Sequence, residues 1–156
     1  MNAIVVTPPG ETNLDNLPKY KSIFLAGSIE MGKAEDWQAK VIDAVQDFNR
    51  IIFNPRRESW DSTWVQSMEN PKFVEQVQWE LRNLRKADLI IMNLIPETMS
   101  PISLMEFGLF AESKKMVVYC PDGFWRKGNV DVVCAEFGIP QVEKFEELIT
   151  LIKYMQ

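Results

Sequence analysis

The sequence predicts an α/β fold, a single-domain, doubly wound and mostly parallel sheet of about five strands with helices on both faces. Short apolar runs of four to seven residues alternate with segments whose apolar residues recur at helical spacing. Several runs end on glycine or proline, as buried strands do before a turn. Strands alternating with helices imply βαβ crossovers, which build parallel sheets. All 156 residues are accounted for as one domain, 1–156, with no internal repeat, low-complexity tract or linker.

The first strong strand is Ser22-Ile23-Phe24-Leu25-Ala26-Gly27. Residues 3–7 predict a further edge strand, ended by Pro8-Pro9. From about 33 to 48, Trp37, Val41, Ala44, Val45 and Phe48 mark one helix face, with Glu35 and Asp36 at its acidic start. A second run, Arg50-Ile51-Ile52-Phe53-Asn54, is stopped by Pro55 and followed by a polar and aromatic loop. A helix is expected over 71–86, with proline in its first turn and Val74, Val77, Leu81 and Leu84 on one face. Then come a strand over 88–94, a helix over about 101–113, and a strand over 116–120. The segment 121–129 reads as a loop with no helical or strand period, and 144–154 as a final helix. The outline is flavodoxin-like or Rossmann-like. Ligands bind such sheets beyond the carboxyl ends of the strands. That rim gathers Gly27-Ser28, Asn54-Pro55-Arg56, the loop after Leu94 and the loop after Cys120.

Composition narrows the chemistry. The net charge of −5 disfavours a surface for polymeric nucleic acid. No apolar run approaches the roughly 18 residues of a membrane span, and the N-terminal segment lacks a signal-peptide pattern. Cys120 and Cys134 read as reduced core thiols, so a cytoplasmic location is expected. There is no histidine, which excludes Ser-His-Asp and Cys-His catalysis and histidine-bearing zinc sites. Acid–base work must fall mainly to carboxylates.

Glu106 is the most unusual acid. It is the only charged residue in the segment Ser100–Phe110, part of a helix apolar nearly all round. Such a helix is buried, and a buried carboxylate is costly unless paired. Two readings stand: a functional acid, or the end of a capping box begun by Ser103. Both can hold together, since a helix start at a strand's carboxyl end aims Glu106 into the site, where the positive dipole end would help keep it ionised. Asp88 opens a strand, either as an edge residue or as a partner of Lys86. Arg56 and Arg57 are either a solvated pair or a pocket wall offering guanidinium donors. Five tryptophans include Trp37, Trp60, Trp64 and Trp79 near the rim, where some would pack the core and others could stack on a planar base.

Taken together, these segments resemble the nucleoside 2-deoxyribosyltransferase family. The matching pieces are Phe24–Ile29, Asp36-Trp37-Gln38, Asn54-Pro55-Arg56-Arg57, Gln76–Glu80, Ala87-Asp88, Ser100–Gly108 and Gly123–Asn129, spanning about 23–139. The resemblance implies a flavodoxin-like fold, Glu106 as nucleophile and Asp88 as its partner at the leaving base, both on one pocket. It implies a substrate site drawn from Gly27, Ser28, Asp36, Trp37, Asn54, Arg56, Arg57, Trp60, Ser100, Ser103 and Asn129. Asn129 would reach a neighbouring subunit, so a homo-oligomer with a shared active site is expected. Many transferases carry an aspartate six residues before the nucleophile, where this chain has Ser100, so base preference does not transfer. The implied partners are a nucleoside or nucleotide and a free nucleobase, and no metal or organic cofactor is needed. Glu106 would attack C1′ and a second base would then displace it, a double displacement with retention. Hydrolysis of a nucleoside or its 5′-monophosphate is the alternative, favoured if Ser28, Arg56 and Arg57 grip a phosphate. A catalytically silent nucleotide-binding module is the third.

Overall fold

A computed structural model describes residues 2–30, 34–57 and 63–156. Five parallel strands, β1 (Ile4–Val6), β2 (Lys21–Gly27), β3 (Arg50–Phe53), β4 (Leu89–Asn93) and β5 (Met116–Tyr119), form one sheet in the order β1-β3-β2-β4-β5. The expected doubly wound sheet is therefore present, edge strand included. Its helices are α1 (Trp37–Val45), α2 (Pro71–Lys86), α3 (Pro101–Phe110), α4 (Lys127–Phe137) and α5 (Phe145–Tyr154).

Strand alternation sorts the core into two layers. Phe24, Ala26, Ile90 and Met92 face α2, α3 and α4, packing with Trp79, Leu84, Phe107 and Val130. Ile23, Leu25 and Ile91 face α1 and α5, packing with Trp37, Val41, Leu148 and Ile152. Because α1 covers one face and α2 the other, the chain reverses its direction of strand addition at β2. The crevice between the carboxyl ends of β2 and β4 is the topological switch point, where open α/β sheets bind ligands. Among the described residues, no helix is long and apolar enough to cross a membrane.

The structure changes two sequence expectations. Part of the segment read as a loop is helical, because α4 starts at Lys127 and takes in Gly128 and Asn129. Its core face is Val130, Val133 and Cys134, and the helix is ended by Gly138 in the left-handed conformation (φ 66°). Glycine and asparagine in the first turn, and three valines after them, mask that face in sequence. Second, α3 is not buried all round. Ile102, Met105 and Leu109 are 55%, 51% and 60% exposed, forming an apolar stripe on its outer face.

Candidate active site

Gly27 ends β2 at φ 134°, and a Cβ there would collide with the Asn93 backbone. This close approach joins β2 to β4 at the switch point, and the Ser28 N–H continues it by donating to the Asn93 carbonyl at 2.9 Å. The buried Ser28 hydroxyl accepts from the Ile95 N–H (2.9 Å) and bonds Ser100 Oγ (2.7 Å) and Thr98 Oγ1 (2.9 Å). Thr98 and Ser100 also bond each other at 2.8 Å. The three hydroxyls lock the loop between β4 and α3 onto the end of β2. Ser100 is left-handed (φ 48°), and its N–H donates to Glu30 Oε1 at 2.7 Å. Pro101 then supplies a preset φ for the first turn of α3.

The helix that starts there buries Ser103, Glu106 and Phe107. Ser103 lies inside α3 and Ser100 occupies the N-cap, so the capping box does not form. The reason is that Pro101 fixes the start three residues upstream. Glu106 is 7% exposed, and its Oε2 finds no hydrogen-bond partner among the described residues. Burial, reinforced by the negative charge of Glu80, holds its carboxyl well above the ordinary range. The helix dipole does not prevail over these two effects.

Glu80 is the acid that faces Glu106. It lies mid-way along α2, and burial of its carboxyl pushes it up to about 7, against a lowering by the Gln76 amide. Gln76 Nε2 donates to Glu80 Oε1 at 2.8 Å and to the Pro55 carbonyl at 3.2 Å. Pro55 follows β3, so this cluster stands at the carboxyl end of the sheet, on the α2–α3 side. Both carboxyls are buried and Glu80 further raises Glu106, so the pair retains a proton near neutrality. Sequence reasoning placed Glu80 within a matching piece but gave it no role. The available signal was Glu80 four residues after Gln76, one turn apart on the same helix face.

Asp88 is elsewhere. Its Oδ2 accepts from the Ser22 N–H (2.8 Å) and Ser22 Oγ (2.9 Å), and its own N–H donates to the Ser22 oxygens. It precedes β4, so it lies at the amino ends of β2 and β4, the end opposite the switch point. Its partner is Ser22, whereas Lys86 pairs with Glu11. The shared pocket with Glu106 is thus corrected: Asp88 ties two strand starts together.

The remaining residues divide. Trp37 is buried against Phe145 with its indole N–H on the Ser28 carbonyl (3.0 Å), so it is core, not a stacking platform. Asp36 caps α1 by accepting from the Ala39 N–H, and pairs with Arg56 Nε at 3.3 Å. Arg56 also donates to Gln38 Oε1 and to the carbonyls of Ala34 and Glu35. Its guanidinium is committed to the start of α1. Asn54 Oδ1 accepts from the Arg56 N–H, shaping the turn after β3. Arg57 pairs with Glu75 (3.3 Å) and stacks over Trp64. Trp60 lies outside the described residues. Asn129 is exposed and lines a surface cavity of ≈ 330 Å³ with Leu104, Gly108, Arg126 and Val130. Cys120 and Cys134 are buried and reduced, and burial pushes both thiols up to about 11. No cluster among the described residues could hold a metal ion.

Residues 20–124 match the family model described as nucleoside 2-deoxyribosyltransferase like. The chain belongs to this family. The match covers Glu80 and Glu106, and Asn129 falls beyond it. No curated protein matches the chain. A crystal structure of a conserved protein from Enterococcus faecalis V583 is similar in fold, with a TM-score of 0.62 at 14% identity, covering 88% of this chain and 99% of that one. At that identity the likeness speaks to the fold alone. Family membership and the carboxyl pair at the switch-point end direct attention to N-glycosidic chemistry.

Proposed function

We propose that this protein transfers 2-deoxyribose between nucleobases, with Glu106 as nucleophile and Glu80 as its acid–base partner. The observation that carries the reading is the Glu80–Glu106 pair, two crowded carboxyls at the ligand-binding end, one with an unpartnered oxygen. The pair shares one proton near neutrality; in the form with that proton on Glu80, ionised Glu106 attacks C1′, forming a C1′–O bond as the C1′–N bond breaks. Glu80 gives its proton to the departing base nitrogen. The incoming base then returns a proton to Glu80 and displaces Glu106, so configuration is retained. Commitment of Arg56 and Ser28 to partners within the chain supports an uncharged nucleoside over a 5′-monophosphate. The test is incubation with a deoxynucleoside and a different free base. Base exchange, with a sugar adduct on the Glu106 peptide in mass spectra, is expected. Release of free sugar alone would assign a hydrolase, and binding without turnover would assign a silent module.

The site is completed by a second copy of the chain. At 100° per residue, the exposed Ile102, Met105 and Leu109 stripe runs beside Glu106, so an apolar partner there would also shut water from the carboxyl pair. Three adjoining large apolar side chains on one helix face are unusual for a free surface. Asn129, exposed near the other flank of α3, is the residue each copy offers to the other's sugar. Mixing inactive Glu106→Ala and Asn129→Ala variants should restore activity, because a hybrid dimer holds one intact site. A fully active monomer by sedimentation would rule this assembly out.

A further inference from the structure

Gln76 is the polar residue that joins the loop after β3 to the reactive pair. It is 4% exposed, and its Nε2 makes both of its hydrogen bonds to acceptors, Glu80 Oε1 and the Pro55 carbonyl. The Pro55 carbonyl is an acceptor only, which fixes which end of the amide is nitrogen. With the amide so placed, its Oε1 is buried and has no hydrogen-bond donor among the described residues. An amide left half-unsatisfied in the interior is costly to keep. Its orientation is therefore set by what its nitrogen holds, not by its own satisfaction. Asn83, on the same helix, shows the contrast: its side-chain nitrogen simply bonds back to the Trp79 carbonyl one turn away.

We propose that Gln76 is a positioning residue for the acid–base carboxyl, clamping Glu80 between α2 and the Pro55 carbonyl so that it meets the leaving base. This rests on the transferase reading for its link to turnover, though the clamp itself can be observed without substrate. The clamp has a second effect, because N–H donation favours the ionised carboxylate. Burial is what raises Glu80, and the Gln76 N–H alone opposes it; Glu80 in turn raises Glu106 on α3.

The test compares wild type with Gln76→Met, which preserves bulk and removes both amide groups. In the wild type, ¹³C-detected titration of the labelled glutamates should find the Glu80 midpoint at about 7. In Gln76→Met the midpoint should rise. Turnover should fall about 10- to 100-fold with KM within about threefold, and the basic limb of the pH–rate profile should move to higher pH. Should Gln76→Met fail to fold, Gln76→Asn withdraws the amide by one methylene and should move the midpoint the same way. An unmoved Glu80 midpoint, or a pH profile that superimposes on the wild type, overturns the proposal. If the wild type exchanges no bases, the transferase reading fails, while the titration still decides the clamp.

Discussion

The two ends of the sheet treat buried polar groups in opposite ways. At the amino end they are saturated. Asp88 takes both Ser22 donors, and buried Arg50 donates to the carbonyls of Ile152, Lys153 and Met155, which close α5. Lys115 does the same for α2, reaching the carbonyls of Leu84, Arg85 and Ala87. Toward the carboxyl end, Glu106 Oε2, Gln76 Oε1, Asn93 Oδ1 and Gln38 Nε2 are buried without partners among the described residues. Unsatisfied buried groups weaken a fold, so one end is built for cohesion and the other keeps unmet hydrogen-bonding capacity. Structural strain of this kind gathers where a ligand is to be received.

Replacing Glu106 tests the contrast most severely. Glu106→Gln should lower turnover on the order of 10⁴-fold, while raising stability at pH 8 by about 1–3 kcal/mol in urea denaturation. The sign follows from the raised carboxyl pKa values. The stability that a protonated carboxyl contributes is fully present below the unfolded value of 4.5, and is lost as pH rises through the folded value, about 7 for Glu80. Wild-type stability should therefore decline between about pH 5 and pH 8, and Glu106→Gln should flatten that decline. A variant less stable than wild type at pH 8 would mean that Glu106 is paired after all, and the two ends would no longer differ.

A smaller effect is expected at the other end. Asp88→Ala strips the buried Ser22 of its acceptor and should cost about 1–2 kcal/mol in the same measurement, with turnover of the folded protein within about threefold of wild type. Turnover reduced as far as in Glu106→Gln would return Asp88 to the chemistry.

Much of this architecture was legible in the residues. Strands buried on both faces are short apolar runs bounded by turn residues. The helix α2 announced itself through Pro71 and its helical spacing, although the face it buries is Gln76, Trp79, Asn83 and Leu84, with Val74, Val77 and Leu81 only half-buried. The helix α4 was not legible, since Gly128 and Asn129 stand in its first turn and its apolar residues are mostly valine. The candidate site was half legible. Glu106 stood out because nothing else in its helix is charged. Glu80 did not, since an acid beside Trp79 on an amphipathic helix looks like an ordinary solvated face. Asp88 could have been placed from direction alone. A residue that opens a parallel strand stands at the amino end, a full strand length from the rim where ligands bind. Motif order suggested otherwise, and geometry prevails over it.

Arg50 has a further meaning for the order in which the chain assembles. Its guanidinium sits in β3, yet its bond to the Ile152 carbonyl spans 102 positions. Until α5 arrives, that charge must stay hydrated, which keeps β3 from drying fully against its neighbours. Contacts of such separation form late because the intervening loop must close first. On a ribosome the strand would emerge long before its partners, so the sheet would pass through a loosened, wetted stage and consolidate only once α5 has docked.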